Sequence, residues 1–178
     1  MARLIALLRA VNVGGRKLPM AELRGLCAEL GWHDVETYIQ SGNVVFSAPA
    51  GPEPLEAELE AAIRNRFRFE VPVMVRDAGQ WSAYEAANPF PEAARDEPNR
   101  LLLFVSKRPL AQDAAGKLME RAQGGECVKA AGGALWFHFP EGVGTSRLTP
   151  ASIDKACGSA STGRNWRTVL KLGEMVGG

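Results

Sequence analysis

Residues 35–47 have the sequence VETYIQSGNVVFS, and this stretch predicts two short strands joined by a tight turn. The segments Val35–Ile39 and Asn43–Ser47 are rich in β-branched and aromatic residues, which favour strands. Between them, residues 40–42 (QSG) supply the polar side chains and the glycine of a turn. The stretch is therefore a predicted β-hairpin, and its neighbours indicate the sheet that it joins.

A strand and a helix are predicted before the hairpin. Residues 3–9 are a nearly continuous apolar run, which is typical of a strand buried on both faces. After a break at residues 12–17, apolar residues recur at spacings of three and four from Met20 to Leu30. This spacing predicts an amphipathic helix with Gly31 as its C-terminal cap.

A second helix and a fourth strand are predicted after the hairpin, from Leu55 to Phe67 and from Val71 to Arg76. The order of elements up to that point is β-α-β-β-α-β, which is the ferredoxin-like order. We therefore predict a ferredoxin-like α+β subdomain over residues 1–90.

The rest of the chain predicts a related α+β subdomain at residues 100–178, joined to the first by an exposed linker at 91–99. The predicted elements are, in order, a helix at 78–87, a strand at 100–106, a helix at 110–123, a hairpin of 127–131 and 134–139, a short helix at 150–157 and a final helix capped by Ser161 or Thr162. The first strand of each subdomain is apolar on both sides, whereas a ferredoxin-like sheet carries helices on one face. The other half or a second subunit could cover the open face, so the sequence allows a homo-oligomer.

Charge and composition exclude several classes of protein. The chain has 178 residues, with 21 Lys and Arg against 20 Asp and Glu, so its net charge is +1. This balance does not favour a nucleic-acid partner. No apolar run reaches the roughly 18 residues of a membrane span, and Arg9 ends the first apolar run too early for a secretory signal.

The cysteines predict a reducing compartment. Cys27, Cys127 and Cys157 are odd in number and far apart, and no C-x-x-C motif occurs. A disulfide framework is therefore not expected, and reduced thiols are typical of the cytoplasm.

Four motifs together resemble one family. They are residues 6–15 (ALLRAVNVGG), 37–46 (TYIQSGNVVF), 139–148 (FPEGVGTSRL) and 164–172 (RNWRTVLKL). Over essentially the whole chain the sequence resembles the bacterial domain-of-unknown-function family 1697 (DUF1697), a resemblance that implies no established activity. Two positions depart from the family pattern: Ala10 stands where glycine is expected, and Gly163 stands where Thr or Ser is expected, although Thr162 is adjacent.

The first candidate site is the turn formed by Asn12, Gly14, Gly15, Arg16 and Lys17. A glycine-rich turn between a strand and a helix leaves backbone N–H groups available, and the two cations could attract an anion. The spacing is neither that of a P-loop nor that of a Rossmann fingerprint. A plain turn with solvated basic tips is the alternative.

The second candidate site is the hairpin turn with Gln40, Ser41 and Asn43, whose side chains could bind a polar ligand. Alternatively, they close the turn by bonding their own backbone. A nucleophilic serine is not expected, because no G-x-S-x-G elbow occurs.

The third candidate site has Thr162 as a helix cap, with Arg164 and Asn165 in the first helical turn and Lys171 farther along the same face. A cation at a helix N-terminus is unfavourable unless an anion compensates it, which suggests a bound phosphate or carboxylate near Arg164. The alternative is an ion pair between Arg164 and a protein carboxylate.

Other chemistry has less support in the sequence. His33 and His138 lack the partners of a metal site, so neither a metal nor a cofactor is expected. RNA-recognition domains share the predicted strand order, but the first strand here has no aromatic residue on which a base could stack.

The sequence therefore favours an uncharacterised cytoplasmic protein that binds a small anionic ligand bearing phosphate or carboxylate. Two alternatives stay open: an enzyme that acts on such a ligand, with unknown catalytic residues, and a module that binds protein or nucleic acid.

Overall fold

The computed structural model describes residues 1–177. Within that range the chain is an α+β protein with eight strands in two four-stranded antiparallel sheets and seven α-helices. It divides into two compact units, one of Met1–Trp81 with the residues from Leu172 onward, and one of Ser82–Lys171.

The first unit contains the predicted β-α-β-β-α-β order. Its elements are β1 (Ala2–Leu8), α1 (Met20–Glu29), β2 (His33–Tyr38), β3 (Asn43–Ala48), α2 (Pro52–Phe67) and β4 (Val73–Asp77). The strand order in the sheet is β2-β3-β1-β4. In the inner strand β1, Ala6 pairs with Val44 of β3 on one side and with Val75 of β4 on the other. The predicted hairpin is confirmed as β2 and β3.

The edge strand β2 is irregular. Its register against β3 shifts between His33 and Glu36, and Asp34 between them has a φ of +49°. Arg3 of β1 donates to the Asp34 carbonyl and forms an ion pair with the Glu36 carboxylate.

The core of the first unit lies between its sheet and its helices. Leu4, Ala6 and Leu8 pack on this side with apolar residues of α1 and α2, among them Leu23 and Leu59. The opposite side of β1 is also apolar and fully buried, at Ile5 and Leu7. The prediction of a first strand buried on both faces is confirmed.

After α3 (Ala78–Ala87), which contains the boundary between the units, the second unit repeats the same strand order. Its elements are α4 (Pro91–Asp96), β5 (Leu101–Ser106), α5 (Ala114–Arg121), β6 (Cys127–Ala131), β7 (Ala134–His138), α6 (Pro150–Cys157), β8 (Ser161–Asn165) and the start of α7 (Trp166–Gly177). The sheet order is β6-β7-β5-β8. The core on its helical side joins Leu135 and Phe137 of β7 to Leu118 of α5 and Ile153 of α6.

Residues 91–99, predicted as an exposed linker, contain α4 and the start of a short 3-10 turn at Pro98–Arg100. The predicted start of the final helix is wrong. Residues 161–165 do not begin a helix but form β8, whose backbone pairs with β5 from Ser106↔Ser161 to Leu102↔Asn165. The side chains of this polar segment show no strand pattern. The segment is a strand because its backbone pairs with the apolar strand β5.

Among the helices in residues 1–177, none is long and apolar enough to cross a membrane.

Candidate functional site

The loop that follows β1 is held in shape by one asparagine. Asn12 donates from Nδ2 to the Leu18 carbonyl at 3.0 Å and to the Gln40 carbonyl at 2.7 Å. Its Oδ1 accepts the Leu18 N–H at 2.9 Å. Asn12 has a φ of +58°, a conformation that asparagine tolerates better than most residues. Its amide therefore closes the loop and ties it to the hairpin turn.

The hairpin turn approaches the end of β1 closely. The Leu8 N–H donates to the Gly42 carbonyl at 2.8 Å. A Cβ at Gly42 would stand 2.7 Å from the Leu8 Cβ and 2.8 Å from the Val11 Cγ2, and its φ is +85°. Only glycine satisfies both conditions, so this residue allows the hairpin turn to pack against the end of β1 and Val11.

Asn43 supports the same turn from inside. Its side chain is fully buried. Its Nδ2 donates to the Tyr38 carbonyl at 2.9 Å and to the Ser41 Oγ at 3.0 Å. The first two candidate sites therefore meet in space, with the asparagine amides turned towards the backbone and Gln40 exposed at the surface.

A cleft of about 390 Å³ lies beside the loop. It is lined by Arg9, Ala10 and Arg16 from the loop and by Glu70 and Pro72 from the segment before β4. The Arg9 N–H donates to the Pro72 carbonyl at 3.0 Å, and Arg16 donates from Nη1 to the Glu70 carbonyl at 3.2 Å. Two arginines and one glutamate therefore line the cleft.

The tip of the loop is open. Gly14, Gly15 and Lys17 are exposed, and no atom lies within 4 Å of a Cβ built at either glycine. Ala10 has a φ of +55°, in the left-handed region that favours glycine, which accounts for the glycine that the family pattern has at this position.

The third candidate site is in the second unit and differs from the sequence interpretation. Thr162, Arg164 and Asn165 lie in β8, so Thr162 does not cap a helix and Arg164 is not in a first helical turn. Arg164 is buried and donates from Nη1 to the Thr162 Oγ1 at 2.8 Å and to the Gly163 carbonyl at 2.9 Å. Burial lowers the pKa of Arg164 to about 10.

The helix cap is Asn165. Its Oδ1 accepts the Thr168 N–H at 3.0 Å, three residues into α7. Lys171 is exposed on that helix. At Gly163 a Cβ would lie 2.5 Å from the Phe104 ring, so the ring occupies the space that a Thr or Ser would need.

Sequence reasoning missed several groups that the fold assembles. Three of the missed residues, Arg9, Glu70 and Pro72, line the first cleft. Arg9 is close to the predicted loop in the sequence, whereas Glu70 and Pro72 come from a distant part of the chain. A second cleft of about 460 Å³ is lined by residues 89–93, Asp96, Glu97, Lys129 and His138. A basic groove of about 380 Å³ between α5 and α6 contains Lys117, Arg121 and Lys155. The one feature of the sequence that could have indicated the second cleft is the proline-rich stretch 88–91, part of which lines it.

His138 lies in the wall of the second cleft. Its Nε2 is 2.9 Å from the Glu97 Oε2, and its ring is 6.1 Å from that of Phe90. The Lys129 ammonium stands 4.9 Å from the Phe90 ring centroid, a cation–π distance. In residues 1–177 no group of three or more His, Cys, Asp or Glu side chains is placed to hold a metal ion.

Comparison with known proteins gives a family and a fold. The family model described as a protein of unknown function (DUF1697) matches residues 1–136. The structure of the conserved bacterial protein SP0830 from Streptococcus pneumoniae is 23% identical, with a TM-score of 0.74. It covers 100% of this chain and 99% of its own, which shows a shared fold. No curated protein matches the sequence. Since the family model spans most of its length, the chain belongs to the DUF1697 family.

Proposed function

We propose that this protein binds a small anionic ligand, bearing phosphate or carboxylate, in the cleft between the loop after β1 and the segment before β4. The observation that carries the proposal is the presence of Arg9 and Arg16 in the lining of one cleft of about 390 Å³. This volume lies within the usual range for small-molecule sites.

The chemistry of the lining favours an anion. A guanidinium presents five N–H donors in a planar fork that fits carboxylate and phosphate oxygens. The bond from Arg16 to the Glu70 carbonyl uses Nη1 and orients the group. The Glu70 carboxylate, 82% exposed, is 3.9 Å from the Arg64 guanidinium. With Arg9 and Arg16 against Glu70, the net charge of the lining is positive.

The conformation of the loop is preorganised for ligand binding. Because Asn12 bonds Leu18 and Gln40, little ordering of the loop is left to binding. The exposed backbone at Gly14 and Gly15 allows close approach of a ligand. We assign Asn12, Asn43 and Ser41 to holding this shape and Arg9 and Arg16 to the ligand. The ligand roles of Gly14, Gly15, Lys17 and Gln40 stay predictions.

Two finer statements belong with this proposal. The strand order β2-β3-β1-β4, with α1 and α2 on one face, supports a ferredoxin-like class for the first unit, and the order β6-β7-β5-β8 supports it for the second. The free cysteines support a cytoplasmic location.

The test is a thermal-unfolding titration with inorganic phosphate, citrate and acetate. At about 100 times its dissociation constant, a ligand stabilises the native state by about 2.7 kcal/mol, which raises Tm by roughly 5–10 °C in a protein of this size. We expect this shift in the wild type and its loss in Arg16→Gln. Arg167→Gln, at an exposed arginine of α7, is the matched control and retains the shift.

Two results would contradict the proposal: a flat titration of the wild type at millimolar anion, or an equal shift in Arg16→Gln. The ligand role expected for Thr162, Arg164, Asn165 and Lys171 stays a prediction. Arg164→Gln in the same titration tests it, because a shift lost only in that variant would place the anion in the second unit.

A further inference from the structure

The three cysteines differ sharply in their surroundings. Cys27 and Cys157 are fully buried, at 0% and 1% exposure. Burial raises the pKa of Cys27 to about 12 and that of Cys157 to about 11. Cys127 at the start of β6 is only partly buried. Because the thiolate is the nucleophile, Cys127 is the thiol that solvent-borne reagents can use.

Strand register places Cys127 beside a histidine. Cys127 is directly opposite His138 in the antiparallel pair of β6 and β7. Their neighbours Val128 and Phe137 point into the core on the helical side, so Cys127 and His138 share the other face. Directly opposed residues have Cβ atoms about 5 Å apart. Lys129, two residues along β6, projects from the same face.

The histidine is oriented by a carboxylate and forms part of a cleft. The Nε2 of His138 is 2.9 Å from the Glu97 Oε2, and the Oε1 of Glu97 is 3.3 Å from the Arg100 guanidinium. With Nε2 donating to Glu97, Nδ1 is the ring nitrogen that can take a proton. His138 and Lys129 line the cleft of about 460 Å³, large enough for a small organic molecule.

We propose that Cys127 is a site of thiol–disulfide exchange with low-molecular-weight disulfides, with His138 as its base and the adjoining cleft as the place where the disulfide is held. The Cys127 S–H proton passes to the His138 imidazole. The thiolate sulfur attacks one sulfur of the disulfide, a new S–S bond forms, and the original S–S bond breaks. The electron pair leaves with the second sulfur as a thiolate, which takes up the proton.

The experiment measures the rate at which dithiobis-nitrobenzoate, a chromogenic disulfide, reacts with the native protein, relative to the rate with the same chain in denaturant. We expect one thiol per native chain to react quickly, at a higher rate than the thiols of the denatured chain. This fast reaction should be absent in Cys127→Ser. His138→Gln slows it about fivefold, the effect expected for one charge at about 4 Å in water. Lys129→Gln slows it to a smaller extent.

His33→Gln, at the other histidine of the chain, is the matched control and leaves the rate unchanged. The ratio to the denatured rate removes differences in intrinsic reactivity, and far-ultraviolet circular dichroism checks that each variant is folded. If His138→Gln unfolds, the exposed Lys129 still allows the same test. A native rate no higher than the denatured rate, or one equally high in folded His138→Gln and Lys129→Gln, overturns the proposal.

Discussion

Gly42 shows how a single residue can allow two segments of the chain to approach closely. It combines a φ of +85° with contacts to Leu8 and Val11 that leave no room for a Cβ. Gly14 also has a positive φ, of +58°, but nothing lies within 4 Å of its Cβ position. A side chain at Gly14 would therefore cost only backbone strain, whereas a side chain at Gly42 would cost both backbone strain and a steric clash.

We expect Gly42→Ala to lower the free energy of unfolding by about 2–5 kcal/mol, since left-handed strain and overpacking add. Gly14→Ala carries the strain alone and should cost about 1–2 kcal/mol. Urea unfolding of the two variants measures both values. Equal losses would show that the approach to Leu8 and Val11 relaxes at no cost.

At the scale of elements, the junction of β8 and α7 separates what the sequence could and could not predict. The sequence alone predicts the hairpin of β2 and β3, because two segments rich in β-branched and aromatic residues flank a polar turn with a glycine. The segment at Ser161–Asn165 has neither signal, and it is a strand because β5 supplies the partner. The helix cap was expected at Ser161 or Thr162, but the chain leaves β8 only after Asn165.

We expect Asn165→Ala to destabilise the protein by about 1 kcal/mol, because the Thr168 N–H loses its acceptor. Asn165→Asp retains a capping oxygen and should stay close to the wild type. Chemical denaturation of the three proteins compares them. A full loss in Asn165→Asp would mean that the residue acts through β8 rather than through the cap.

The cleft could not be predicted in full for a similar reason. Arg16 belongs to a motif that is visible in the sequence, whereas Glu70 and Pro72 reach it because β4 pairs with β1. Sequence spacing does not reveal such pairings. The same limit hid Cys127 and His138, which are eleven residues apart and meet through the register of β6 and β7.

At the scale of the whole molecule, each unit buries one thiol, and its burial in the folded state opposes ionisation of that thiol. The folded pKa of Cys27 is about 12 and that of Cys157 about 11, against an ordinary value of 9.0. Well below pH 9 both states keep the proton, and the two thiols do not change the free energy of unfolding with pH. Above it the unfolded chain loses the proton first, so stability falls as pH rises.

We expect the free energy of unfolding to fall between pH 9 and pH 10 with a slope that approaches about 1.4 kcal/mol per pH unit for each thiol. Cys27→Ala is less stable at pH 7 because of its cavity, but its slope should be shallower. Urea titrations at several pH values give the slopes. The prediction fails if Cys27→Ala and the wild type lose stability in parallel.

The irregular edge of the first sheet has a consequence for the protein at high concentration. An exposed edge strand can recruit a strand from another chain and start aggregation. In β2 the register shift between His33 and Glu36, the left-handed backbone at Asp34 and the charges around it interrupt the row of N–H and C=O groups that an incoming strand would need. The irregular β2 is thus a poor template for an incoming strand, and we expect it to limit self-association at this edge of the sheet.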